Sequence, residues 1–96
     1  MNKQSILDAA VILALSLGYR GVFKRHLAKK LDIGMGTVNY HWGTMEELRA
    51  AIVREALDKG VKQIVAQAVA LRDPLMSRER LSRGQREKLD ALNIAA

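Results

Sequence analysis

Residues 24–48, KRHLAKKLDIGMGTVNYHWGTMEEL, predict two short helices joined by a tight bend and followed by a strong helix-start signal. Apolar residues recur where two crossing helices would share one small core: Leu27, Ala28, Leu31, Ile33 and Val38. Asp32 lies where the backbone has to turn sharply, and Asp tolerates the left-handed conformation better than most residues other than Gly. This pattern is typical of a helix-turn-helix, whose second helix lies in the major groove of DNA.

The composition predicts an all-α chain. The 96 residues are rich in Ala, Leu, Lys, Arg and Glu, and they include one Pro and 4% aromatic residues. With no Cys, the sequence has neither a disulfide framework nor a Cys-based metal site. Two His without a neighbouring acidic cluster argue against a catalytic metal centre. We therefore expect no enzymatic activity, no metal and no cofactor, and we expect a cytoplasmic protein.

The positive charge is concentrated in the predicted motif. The net charge is +6 over the whole sequence. Residues 19–42 contribute five basic residues and one acidic residue, a net +4, whereas residues 61–96 contribute seven and four, a net +3. A basic surface on a helix-turn-helix indicates a nucleic-acid partner. For the Arg and Lys residues beyond Ser77, a solvated surface is the preferred interpretation over a second DNA contact.

Helices are expected on both sides of the motif. Residues 6–17 form an apolar run that predicts a helix packed on several sides and ended by Gly18. A signal peptide is the alternative for this run, but Asp8 interrupts it and no small-residue cleavage site follows. The run is also shorter than the ~20 residues that a membrane-spanning helix needs. The motif helices are predicted at 24–31 and at 35–42, with Gly34 as the N-cap of the second.

The C-terminal part is predicted from capping signals. Thr44 and Glu47 make a capping box for a helix to about Asp58, in which Glu47 returns to the Thr44 amide. A break at Gly60 is favoured over one long helix reaching residue 72. Asp73-Pro74 ends that section, and a capping box of Ser82 and Gln85 predicts a last helix over 83–93.

From Ile6 to Leu48, the chain resembles the N-terminal DNA-binding domain of the TetR family of repressors. The resemblance rests on ILDAA, GYRG, RHLAKKLDI, GTVNYHW and EEL, at the spacing of the family. It implies a three-helix helix-turn-helix domain and a fourth, connecting helix, here residues 1–58. Residues 59–96 would be a short helical extension for dimerisation.

The resemblance also implies which residues meet DNA. It makes Met35, Gly36, Thr37, Asn39 and Tyr40 the surface that faces the groove, and it gives Arg25 a base or phosphate contact. Thr37 and His41 match positions that bind phosphate, and Lys24 lies on the outer side of the first motif helix. The chemistry agrees, because Asn can read adenine with two hydrogen bonds and Arg can read guanine. Gly36 either lets DNA approach the backbone closely or marks a loosely formed helix, and Trp42 is expected in the core.

The chain departs from the family in four places and in length. Val22 and Phe23 stand where the family usually has Ser or Thr, and Asp32 stands where it commonly has Gly. Asn39 replaces a usual Tyr, and Met45 replaces a Lys. Family members carry a C-terminal domain of a hundred or more residues with an inducer pocket, whereas about 36 residues follow Gly60 here. We expect this segment to be too short to enclose a pocket of ~300 Å³ and also supply a dimer interface, and so we expect no small-molecule inducer.

These observations predict a transcriptional repressor that binds double-stranded DNA at an inverted repeat as a homodimer. Its interface would use the last helix and an apolar stripe, consisting of Val53, Leu57, Val61, Ile64 and Val65. Two alternatives stay open. The protein could be a replication, partition or packaging accessory of a plasmid or phage, or its basic surface could meet an acidic protein partner.

Overall fold

The computed structural model describes residues 2–94, and these residues form six α-helices and no strand. The helices are α1 (Lys3–Leu17), α2 (Lys24–Leu31), α3 (Met35–His41), α4 (Met45–Lys59), α5 (Lys62–Ala70) and α6 (Arg83–Ala91). Short 3₁₀ turns occupy Tyr19–Gly21 and Pro74–Met76. The all-α prediction is confirmed. The chain divides into two compact units between Ile52 and Val53, so that α4 runs from the first unit into the second.

Helix α1 begins earlier than predicted and is buried on one side. The Asn2 side chain accepts a hydrogen bond from the Ser5 amide at 2.8 Å, which places the helix start at Lys3 rather than at Ile6. The helix ends before Gly18, as predicted. Its buried residues are Ile6, Ala9, Ala10, Val11 and Ala14. Packing on several sides was a wrong prediction, because Ile12 is 57% exposed and Leu15 and Leu17 are also exposed.

Helices α2 and α3 form the predicted helix-turn-helix, and α2 packs against both α1 and α3. Asp32 has φ 53° and ψ 49°, the left-handed conformation expected of the bend. Two hydrogen bonds close the turn, from the Asp32 amide to the Lys29 carbonyl at 3.4 Å and from the Ile33 amide to the Ala28 carbonyl at 3.0 Å. This pair of bonds is a Schellman motif. It reverses the chain, so only three residues separate the end of α2 from the start of α3.

The start of α4 differs in one bond from the predicted capping box. The Glu47 amide donates to the Thr44 hydroxyl at 3.1 Å, as expected. The Glu47 carboxylate accepts from the Gly43 amide at 3.0 Å instead of from Thr44. The predicted return to the Thr44 amide was therefore wrong, although the acidic group still satisfies an amide beside the helix start, where negative charge is favourable.

The predicted break at Gly60 is confirmed. Gly60 has φ 71° and closes a second Schellman motif, with the Val61 amide donating to the Ala56 carbonyl at 2.8 Å. Helix α5 then starts at Lys62. An L side chain at this φ would cost roughly 1–2 kcal/mol, which explains why a Gly ends α4.

The apolar stripe predicted for the dimer interface is buried within the chain. Val53, Leu57, Ile64 and Val65 are at most 1% exposed, and Val61 is half-buried. These side chains belong to the core of the folded chain. Assigning the stripe to a subunit interface was therefore wrong, because the helical period shows that a face is apolar but not what covers it.

Several basic side chains of the C-terminal unit form ion pairs. Arg78 makes two hydrogen bonds to Asp90, at 2.7 and 3.2 Å, and Lys88 Nζ lies 3.3 Å from Asp58. The hydrogen bonds from Arg78 hold the pKa of the Asp90 carboxyl below its usual range. This contribution to stability is present above the ordinary pKa of Asp and is lost as the pH falls through the lowered value. The capping box of Ser82 and Gln85 at the start of α6 is confirmed.

The C-terminal unit contains an open cleft of about 350 Å³. The lining residues are Val69, Met76, Arg78, Leu89, Asp90, Asn93 and Ile94. The expectation that this part of the chain cannot both enclose a pocket of ~300 Å³ and supply a dimer interface stays a prediction, because this cleft is open rather than enclosed. Helices α5 and α6 and the turn between them each contribute lining residues.

Leu27 tests the core beneath the motif. Its side chain is fully buried, so we expect Leu27→Ala to lower the free energy of unfolding by about 2–5 kcal/mol. The removed side-chain carbons lose their buried contacts, and their space is left as a cavity. Urea unfolding followed by circular dichroism measures this change. Leu17→Ala makes the same chemical change at a side chain that is 46% exposed, and its cost should stay below about 1 kcal/mol. Equal losses for the two variants would contradict this packing.

Candidate nucleic-acid interface

Helix α3 turns one side into the core and the other toward solvent. Val38 is fully buried and Trp42, directly after the helix, is 3% exposed, which confirms the predicted core position of Trp42. All five residues predicted to face the groove are exposed: Met35, Gly36, Thr37, Asn39 and Tyr40. Tyr40 is the most exposed large hydrophobic residue of the described chain, at 85%. The structure thus presents these five residues on one accessible surface. Helix α3 ends at His41, one residue before the predicted end.

Three aromatic rings follow one another at the end of α3. The rings of Tyr40 and His41 meet edge to face with centroids 5.1 Å apart, and the rings of His41 and Trp42 are 5.9 Å apart. The ammonium of Lys3 lies 5.4 Å from the centroid of the Trp42 ring. Half-buried His41 is therefore oriented by a buried ring on one side and an exposed ring on the other.

Lys24 and Asn39, both predicted to contact DNA, contact each other. The Lys24 ammonium donates to Asn39 Oδ1 at 2.8 Å and to the Gly43 carbonyl at 3.0 Å. The first residue of α2 is thereby tied to α3 and to the segment that follows α3. An ammonium has three donors, so one N–H of Lys24 is left for another acceptor.

Arg25 lies on an aromatic ring. Its guanidinium carbon is 4.8 Å from the centroid of Phe23, within the range of a cation–π contact. The guanidinium of Arg49, from α4, lies 5.5 Å from the same centroid. Phe23 is half-buried, and it places two positive groups beside the start of α2.

Arg49 belongs to this part of the site and was missed at the sequence level. It donates to the Arg20 carbonyl at 3.2 Å and to the Glu46 carboxylate at 3.4 Å. Its Nε is buried and has no hydrogen-bond partner within the described chain. Arg49 lies in a segment whose net charge is slightly negative, and its main-chain partner is 29 residues away in the sequence. No local pattern signals such a contact.

The start of α2 is capped by a histidine. Phe23 takes the N-cap position and has no oxygen in its side chain to accept the free amides of the first turn. His26, three residues later, accepts the Phe23 amide at its Nδ1 at 2.9 Å, the part that Glu or Gln takes in a capping box. The ring proton of this His26 tautomer is therefore on Nε2. This bond satisfies one backbone donor beside Arg25.

Further basic residues surround the exposed side of the motif. Lys29 and Lys30 are exposed on the last turn of α2. Among residues 2–94, no group of three or more His, Asp or Glu side chains is placed to hold a metal ion. Within the same range, no helix is both long enough and apolar enough to cross a membrane.

The comparison with known families agrees with this geometry. Residues 6–52 match the sequence model of a family described as bacterial regulatory proteins, tetR family. The matched range contains α1 from Ile6 onward, α2, α3 and the first half of α4. The chain shows no significant similarity to a curated protein or to a solved structure. In residues 6–52, the chain therefore carries the helix-turn-helix DNA-binding domain of the tetR family of bacterial regulatory proteins.

Proposed function

We propose that the protein is a transcriptional repressor that binds a specific site in double-stranded DNA through α3. The observation that carries this proposal is the division of α3, in which Val38 is buried while five residues around it are exposed. An exposed helix of this kind fits the major groove, which is wide enough to admit an α-helix. Occupying a promoter would block transcription, and a chromosomal target requires a cytoplasmic location.

Each predicted contact has a role that its chemistry supports. Thr37 and His41 are suited to phosphate oxygens, and Arg25 can reach a guanine or a phosphate. Met35 and Tyr40 offer exposed apolar surface to base edges. Lys29 and Lys30 add sequence-independent attraction to the phosphate backbone. Lys24 can donate its third N–H to a phosphate while its other two bonds persist.

We further propose a homodimer on an inverted repeat. One helix-turn-helix reads few base pairs, and specific affinities of about 10⁻⁸ M or tighter usually combine two half-sites. Half-sites would lie about one helical turn apart, or a multiple of that spacing. Since the α4–α5 stripe is buried within the chain, the interface has to use another surface. Helix α6, none of whose residues is buried, remains available.

Constitutive binding without a small-molecule inducer stays a prediction. The open cleft of about 350 Å³ in the C-terminal unit is the place where an inducer would bind if this prediction failed. Selection of bound sites from random double-stranded DNA is the central experiment for the proposed function. An enriched palindrome is expected, and no enrichment together with binding to an acidic protein would favour the interaction-module alternative. The position of the site relative to a promoter separates a repressor from a replication, partition or packaging accessory.

The DNA affinity should fall steeply with salt, because phosphate contacts release condensed counterions. Lys29→Met should weaken binding to all sequences alike and reduce the slope of log K against log salt by about 1 per protomer. Fluorescence anisotropy at several salt concentrations measures both effects. An unchanged slope would show that Lys29 lies outside the phosphate-contacting surface.

Gly36→Ala separates folding from DNA binding. A Cβ on Gly36 would meet no atom within 4 Å, so the free protein should gain up to about 0.5–1 kcal/mol of stability from the better helix former. The DNA affinity should fall about tenfold, or ~1.4 kcal/mol, because DNA approaches this backbone. Gly84→Ala in α6 is the matched control, since it is equally open and should leave the affinity of a protomer for a single half-site unchanged. Unchanged affinity of Gly36→Ala would contradict the close approach.

Sedimentation tests the homodimer. At micromolar concentration we expect a dimer in the absence of DNA and two protomers on each selected site. An Ala variant of Leu89, half-buried on α6, should weaken association while leaving the helix content unchanged. A monomer that binds single half-sites would overturn the dimer proposal.

A further inference from the structure

Lys24 and Asn39 form a pair whose geometry restricts what Asn39 can offer to DNA. The two residues are 15 positions apart, and their bond, from Nζ to Oδ1, is 2.8 Å long. The ammonium also donates to the Gly43 carbonyl at 3.0 Å, which holds Lys24 beside the C-terminal end of α3. Asn39 itself is exposed, so its remaining polar atoms are accessible to a ligand.

The ammonium decides which way the Asn39 amide points. An ammonium only donates hydrogen bonds, whereas an amide has one accepting oxygen and one donating nitrogen. The oxygen must therefore face Lys24. The Nδ2 group keeps both N–H donors for DNA, whereas Oδ1 keeps only one lone pair, beside the ammonium.

This arrangement opposes the usual recognition of adenine by Asn. That recognition uses both ends of the amide: Nδ2 donates to adenine N7, and Oδ1 accepts from the adenine 6-amino group. Here a positive charge lies 2.8 Å from Oδ1, and a 6-amino donor would have to approach beside it. Guanine presents two acceptors, O6 and N7, at the same edge and has no such conflict.

We propose that Lys24 makes Asn39 a hydrogen-bond donor toward DNA, so that Asn39 selects guanine over adenine at the base it faces. The proposal rests on the proposed DNA-binding function and adds the chemistry of one base position. Lys24 is in this account a specificity-determining residue that acts through Asn39. The Lys24 ammonium also places positive charge on the side of the pair where guanine carries O6.

Site selection from random double-stranded DNA tests the pair. The wild-type protein should select guanine at one position of each half-site, and Asn39→Ala should remove the preference at that position alone. Lys24→Met should move the preference there toward adenine by roughly fivefold or more, the lower end of what a two-bond contact discriminates. Lys29→Met, which removes the same charge from an exposed position of α2, should leave the preference unchanged.

A second variant tests the pair even if Lys24→Met does not fold. Asn39→Asp keeps an oxygen for Lys24 and removes the only donor, so it should lose the guanine preference while the circular dichroism spectrum stays that of the wild type. A wild-type preference for adenine at the Asn39 position would overturn the proposal. So would a Lys24→Met variant that is folded and still selects guanine.

The experiment separates this proposal from the broader one. If the wild type selects a palindrome but Asn39→Ala changes no base preference, then Asn39 meets only phosphate, and the pair proposal fails while DNA binding stands. If the wild type enriches no sequence, the proposed function fails and the pair proposal fails with it.

Discussion

The burial of Val38 and Trp42 is the constraint on which the rest of the candidate site depends. These two side chains hold one side of a seven-residue helix against the core, and the other residues of that helix are exposed except for half-buried His41. A helix this short has little stability of its own in water. Its geometry therefore comes from packing, and the exposed surface of α3 is only as well ordered as its buried side.

Local signals explain how much of the fold could be predicted. Asp32 and Gly60 marked turns because few residues adopt the left-handed conformation, and Ser82 with Gln85 marked a helix start because its bonds lie within four residues. Signals of this kind act over a single turn, so they specify helix limits well. They fail where neighbouring groups compete for one partner. The Glu47 carboxylate, for example, accepts from the Gly43 amide rather than from the Thr44 amide.

The candidate site was harder to predict than the fold, because its contacts join distant parts of the chain. The burial of Trp42 could be predicted because a large aromatic ring is more often in the core than exposed, and the exposed position of Tyr40 was implied by the family resemblance. The bond from Lys24 to Asn39 could not be predicted in this way, nor could the contact of Arg49 with the Arg20 carbonyl. The apolar stripe around Leu57 shows the same limit, since its period predicts burial but leaves open whether the chain or a second subunit supplies the covering surface.

The internal burial of that stripe also bears on the order of folding and association. When subunits share a core, stability depends on protein concentration, since the separated chain has no folded state of its own. Here Val53, Leu57, Ile64 and Val65 are covered without a second copy. A newly made chain can thus complete its core alone, and dilution of the proposed dimer would separate its subunits without unfolding them. Below the concentration at which such a dimer dissociates, folded single protomers would still be available to meet a half-site and to pair again there.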